Sequence, residues 1–195
     1  MSGMLLGLTA LLAACGGGGS NCNLLAGTAA CRDDSPPKDG TPQAVVEPLT
    51  LAVQGTAAEG LAIGMAPVSM VCVQGQAQAV TDENGGFTVV ANNALAPCML
   101  QVTSQQSGRR YHAVLVSGTR ANVTPVTEMV SAAALSRQPI EVFELDASTR
   151  ATRLAAVREQ GLSDALNKVI AGTSQISGVA LNSAVDYLKG AFVAA

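Results

Sequence analysis

Between residues 48 and 123 the chain is cut into short β-type runs by Gly, Asn and Asp, and this spacing constrains the fold more than any other feature. Leu49-Thr50-Leu51-Ala52-Val53 alternates and stops at Gly55. Val68-Ser69-Met70-Val71-Cys72-Val73 is a second run and residues 76–80 a third. Asp82-Glu83-Asn84-Gly85-Gly86 supplies residues that tolerate positive φ, which predicts a hairpin turn into Phe87-Thr88-Val89-Val90. Met99-Leu100-Gln101-Val102-Thr103 and Tyr111-His112-Ala113-Val114-Leu115-Val116 are expected to pair across the polar turn of residues 104–110. Ala121-Asn122-Val123 is the seventh run.

Beyond residue 123 the period changes. Thr124 stands as a helix cap, with Pro125 at the first helical position and Glu128 in the first turn, so a helix should run to about Leu135. Asp146 opens a second helix through Leu154 and Val157; Leu162, Leu166, Val169 and Ile170 continue its apolar face unless Gly161-Leu162-Ser163 splits it. A third helix is expected over residues 179–192, with Val185 and Leu188 on one face. The expected fold is α+β, a seven-stranded antiparallel β-sandwich followed by two or three C-terminal helices. Aromatic residues make up 3% of the chain and there is no Trp, so its 48% hydrophobic content must build a core of small side chains. A net charge of −3, with no basic run longer than Arg109-Arg110, gives no footprint for nucleic acid.

The N-terminus has a different character. Met4-Leu5-Leu6-Gly7-Leu8-Thr9-Ala10-Leu11 is an apolar run of signal-peptide length, well short of the roughly 20 residues of a spanning helix. It leads into Leu12-Ala13-Ala14-Cys15, which resembles the bacterial lipobox. That resemblance implies cleavage before Cys15, a diacylglycerol on its thiol and an acylated amine. Two or more chains at about 0.8 kcal/mol per buried CH2 hold a protein stably on a bilayer. Gly16, where Asp would favour the inner membrane, implies the outer membrane. Met1-Ser2-Gly3 lacks the Lys or Arg of an ordinary n-region, which points to a start upstream. Residues 1–14 thus read as a lipoprotein signal peptide and 15–47 as a lipidated tether. Its Gly16-Gly17-Gly18-Gly19-Ser20 and Asp33-Asp34-Ser35-Pro36-Pro37 stretches behave as flexible coil with an r.m.s. span on the order of 30 Å.

With Cys15 assigned to lipid, Cys22, Cys31, Cys72 and Cys98 remain, and an oxidising periplasm favours two disulfides. Of three connectivities, Cys22 with Cys31 and Cys72 with Cys98 are preferred because each pair lies within one segment. The spacings match no zinc motif, and a single His cannot complete a usual Cys/His site.

Val53-Gln54-Gly55, then Ala66-Pro67-Val68, then Thr81-Asp82 followed by Gly86-Phe87, then Pro97 before Leu100-Gln101-Val102 resemble in order and spacing the carboxypeptidase regulatory-like domain. The match covers residues 48–123 and implies a prealbumin-like β-sandwich. Pro97-Cys98-Met99 replaces the usual Gly-x-Tyr and puts Cys98 near a strand that Cys72 can meet. Residues 124–195 follow as a helical C-terminal region, and similar lipoproteins carry the Val123-Thr124-Pro125 segment after such a sandwich.

Chemistry is sparse. His112 is the only imidazole in the chain, no Gly-x-Ser-x-Gly elbow accompanies it, and it is expected to be a partly solvated strand residue whose loss costs about 1 kcal/mol or less. Glu141, Glu144 and Asp146 read as cap and loop residues before a carboxylate cluster. Asp82-Glu83-Asn84-Gly85 lacks the alternate ligands of a calcium loop, and Asn122-Val123-Thr124 fits a glycosylation sequon but places Thr124 better as a cap. No Lys-Ser or Lys-Thr follows Gly16 to Gly19, so there is no phosphate loop. No catalytic, cofactor or metal residue is expected. The expectation is a non-catalytic cell-envelope module, held to the membrane by its N-terminal lipid, which engages a protein or glycan partner or serves a structural role. An accessory subunit of an envelope enzyme or transport system is the alternative.

Overall fold

The computed structural model describes residues 49–178 and 180–194, all within one compact unit. The fold is α+β. Strand β1 (Thr50–Thr56) pairs antiparallel with β4 (Gly86–Asn92) in a two-stranded sheet. Strands β2 (Pro67–Gln74), β3 (Gln76–Val80), β5 (Leu95–Thr103) and β6 (Arg110–Leu115) form a four-stranded antiparallel sheet in the order β3-β2-β5-β6. Helices α1 (Pro125–Leu135), α2 (Pro139–Phe143), α3 (Ala147–Ala155) and α4 (Glu159–Ser177) follow.

Six strands are present among the described residues, not seven. The run at Ala121-Asn122-Val123 does lie along β1, with Ala121 N donating to Gln54 O at 2.9 Å and Val123 N to Thr56 O at 3.0 Å. Its contacts are two isolated parallel bridges, because the chain must leave for the Thr124 cap before a strand can extend. Gly55 permits the approach: a Cβ there would sit 1.8 Å from Ala121 O. The turn after β3 forms, with Asp82 Oδ1 accepting from Asn84 N and Gly86 N at 2.8 Å each and Gly85 at φ 78°. It is not a hairpin within one sheet, since β4 crosses to pair with β1. The expected pairing of β5 with β6 is present, and it sets Gln101 opposite His112.

Alternation along the four-stranded sheet feeds two cores. Val68, Met70, Cys72, Cys98, Leu100, Val102, Ala113 and Leu115 share one cluster with Val53, Phe87, Val89 and Ala91 of the two-stranded sheet. Val71, Met99 and Val114 point the other way, to Val130, Val142, Leu154, Leu162 and Ala165 of the helices. Burial of this kind stabilises by about 25 cal/mol per Å² of apolar surface. Cys72 and Cys98 oppose each other across β2 and β5 and form a disulfide (S–S 2.06 Å).

The helical region departs from expectation in two places. The second helix divides at Val157-Arg158 instead of at Gly161, and a short α2 precedes it, so four helices stand where two or three were expected. Residues 180–194 hold no helix. There Asn182 Oδ1 accepts from Ala184 N at 2.9 Å, and Asp186 Oδ1 from Leu188 N at 3.1 Å and Lys189 N at 2.9 Å. Such local side-chain bonds offer the backbone an alternative to the helix ladder. The α1 start is as expected: Thr124 Oγ1 accepts from Thr127 N, and Thr127 Oγ1 from Thr124 N, with Pro125 in the first turn.

Candidate functional site

Asn122 holds together the walls of a large concavity. Its side chain is fully buried; Oδ1 accepts from Thr56 N at 3.2 Å, and Nδ2 donates to Gly190 O at 2.7 Å. Asn122 N donates to Leu188 O at 2.8 Å, and Thr56 Oγ1 to Phe192 O at 3.4 Å. These bonds hold the irregular C-terminal segment beside the end of β1 and the start of α1. Gly190 is required in that segment, because a Cβ would meet Asp186 O at 2.5 Å. Between segment and body lies an open cavity of about 680 Å³. Val126, Val185, Tyr187 and Phe192 line it with Asp186 and Ala58. Ala58 lies beyond the C-terminal end of β1, about 20 Å along a strand of this length from Thr50, where the strand begins.

His112 occupies a different environment from the one expected: it is 0% exposed. The helical layer covers the face of β6 from which it projects. Nδ1 lies 2.8 Å from Glu128 Oε2, and the His112 backbone N–H donates to the same oxygen at 2.6 Å. Nε2 lies 3.0 Å from Gln101 Oε1, Thr127 Oγ1 donates to His112 O at 3.0 Å, and the Phe143 ring sits 5.6 Å away. Both ring nitrogens are engaged and neither reaches solvent. A general base must come within hydrogen-bond reach of its substrate, and this arrangement instead locks α1 and α2 to the sheet.

Two carboxylates tie loops together. Glu59 accepts from Ser104 Oγ at 2.5 Å, Ser107 Oγ at 2.8 Å and Tyr111 Oη at 2.8 Å, joining the β1–β2 connection to the β5–β6 turn. The Ser104 and Ser107 hydroxyls hold its carboxyl below the ordinary range, while desolvation and the adjacent Glu59 push the Tyr111 phenol up. Glu159 accepts from Ser117 Oγ and, at 3.2 Å, from Lys189 Nζ; the Ser117 bond is the main cause of its lowered pKa.

Among the residues singled out in the sequence, Cys15, Cys22 and Cys31 lie outside the described residues. Glu141 pairs with Arg137 at 3.5 Å and Glu144 with Arg110 at 2.8 Å, and Asp146 Oδ1 caps α3 by accepting from Thr149 N at 3.0 Å. The three carboxylates share no site. Among the described residues no group of His, Cys, Asp or Glu could hold a metal ion, and no helix is long and apolar enough to cross a membrane. Sequence reasoning passed over Asn122 as a sequon residue and read Asp186, Tyr187 and Phe192 as helix. The signal was the Asp186-x-x-x-Gly190 spacing, a turn signature inside an apparent apolar periodicity. No family model, curated protein or solved structure matches this chain.

Proposed function

We propose that the chain is a lipid-anchored, non-catalytic binding module of the bacterial cell envelope, acylated at Cys15 and placed at the outer membrane. In this reading it is a prealbumin-like β-sandwich of the carboxypeptidase regulatory-like kind with a helical cover. The order of strand and turn signals over residues 48–123 supports that assignment, as do the two antiparallel sheets that fill one core. The observation that carries the non-catalytic reading is His112, the chain's single imidazole, buried and bound at both ring nitrogens. The cavity beside the end of β1 and the start of α1 supports the reading as a binding module. Metabolic labelling with a palmitate analogue tests the anchor. Label is expected on the wild-type protein and absent from Cys15→Ser; undiminished label on the variant overturns the reading.

A further inference from the structure

We propose that the cavity beneath the C-terminal segment binds a small organic cation, an ammonium group carried on an apolar body. Its volume, about 680 Å³, falls within the range of small-molecule sites, roughly 300–1,000 Å³. Its walls are apolar at Val126, Val185 and Phe192, and Asp186 is the only charged residue among them. The chain holds just two Tyr and three Phe, and one of each, Tyr187 and Phe192, lines this cavity.

Aromatic faces and a carboxylate are the two protein groups that attract an ammonium, the ring through its quadrupole and the carboxylate through charge-assisted hydrogen bonds. Asp186 has capacity for the role. Its Oδ1 accepts the Leu188 and Lys189 amides, which fixes the carboxylate on a rigid turn, and Oδ2 has no partner among the described residues. Lys189, three residues on in the chain, has its Nζ directed to Glu159 Oε1 at 3.2 Å. Charge complementarity therefore selects a cation, and the apolar walls select one with a hydrocarbon or aromatic body. An anion would meet Asp186 without a compensating base.

The assignment rests on the reading of the domain as a binding module, and the two can fail separately. The test compares phenethylammonium with the neutral isostere 2-phenylethanol, each titrated at neutral pH into the full-length protein and followed by calorimetry. Phenethylammonium should bind at least roughly tenfold tighter, which corresponds to about 1.4 kcal/mol. Asp186→Asn, which keeps the Oδ1 acceptor of the turn, should erase that preference without moving the melting temperature. Ala191→Phe, which fills the cavity, should weaken both probes. Equal binding of the two probes by wild-type protein, or an undiminished preference in Asp186→Asn, overturns the cation assignment but leaves a binding cavity. Binding of neither probe overturns both.

Discussion

Replacing His112 with Ala distinguishes a solvated strand residue from a keystone of the helix–sheet contact. The imidazole is fully buried, and its removal takes away the Glu128 and Gln101 contacts and the packing against Phe143 at once. Large-to-small changes in a core cost about 2–5 kcal/mol. Leaving a buried hydrogen-bonding group without its partner costs about 1–3 kcal/mol, but the Glu128 side chain is 25% exposed and water can replace part of what it loses. The sum is therefore placed at about 3 kcal/mol, not at the upper end of both ranges. For a domain of this size each kcal/mol shifts the melting temperature by about 2–4 °C, so His112→Ala should melt roughly 6–12 °C lower. Thermal unfolding followed by circular dichroism, with Glu128→Gln and the double variant, completes a cycle in which the pair should show coupling of at least about 0.5 kcal/mol. A His112→Ala protein that melts within about 2 °C of wild type would falsify the keystone role.

The Cys72–Cys98 bridge closes a loop of sequence separation 26, and its loss in a Cys72→Ala, Cys98→Ala protein should cost about 3.5 kcal/mol in the loop-entropy treatment. Non-reducing peptide mapping of wild type should recover the linked pair; alkylation of either thiol without reductant contradicts it. Because hydrogen bonds from Ser104 and Ser107 depress the Glu59 carboxyl, its stabilising contribution is full above the ordinary carboxylate range, about 4.3, and is lost as pH falls through the folded value. Glu59→Gln should thus melt lower than wild type at neutral pH and show a smaller further loss on acidification; an unchanged acid limb refutes this. The raised Tyr111 phenol has the opposite sign, its contribution being full below about 10 and lost at higher pH, so Tyr111→Phe should flatten the alkaline limb of the melting curve. Gly55→Ala forces a Cβ to within 1.8 Å of Ala121 O and should cost about 1–3 kcal/mol through backbone displacement, measured by urea unfolding. A neutral result there means the bridge beside β1 is loose.

The strands were legible wherever one face is buried. Residues 76–80 alternate half-buried and exposed, and β5 and β6 pair as their apolar patterns require. What periodicity could not carry was the sheet to which a strand belongs. The Asp82 turn has the chemistry of a hairpin, yet Ala57 N donates to Gly85 O at 2.8 Å and draws the turn toward β1, a tertiary contact invisible to local reading. His112 was misplaced for a related reason: alternation puts it opposite Ala113, but only the docking of α1 and α2 makes its own face a second interior. The C-terminal segment was the deepest miss. Val185 and Leu188 are spaced as on a helix, while Asn182 and Asp186 cap their own turns and Asn122 holds the Leu188 and Gly190 backbone. A buried Asn far earlier in the chain decides that conformation, so no window around residue 186 contains the cause.

Charge is distributed along the chain in a way that bears on how the domain would sit beside a membrane. From residue 48 to 108 there are three charged side chains, Glu59, Asp82 and Glu83, and no Lys or Arg. Glu59 and Asp82 are occupied by loop and turn hydrogen bonds, and the exposed strand positions Thr50, Gln54, Thr88 and Asn92 are neutral. The basic residues of the described chain begin at Arg109, and Arg110, Arg137 and Lys189 each face a carboxylate. A polybasic surface gains about 1 kcal/mol per Lys or Arg near anionic headgroups, and the strands here offer one basic residue, Arg110, which is paired with Glu144. In the proposed anchoring, residues 48–108 therefore add no basic side chain to the attachment made by the acyl chains at Cys15.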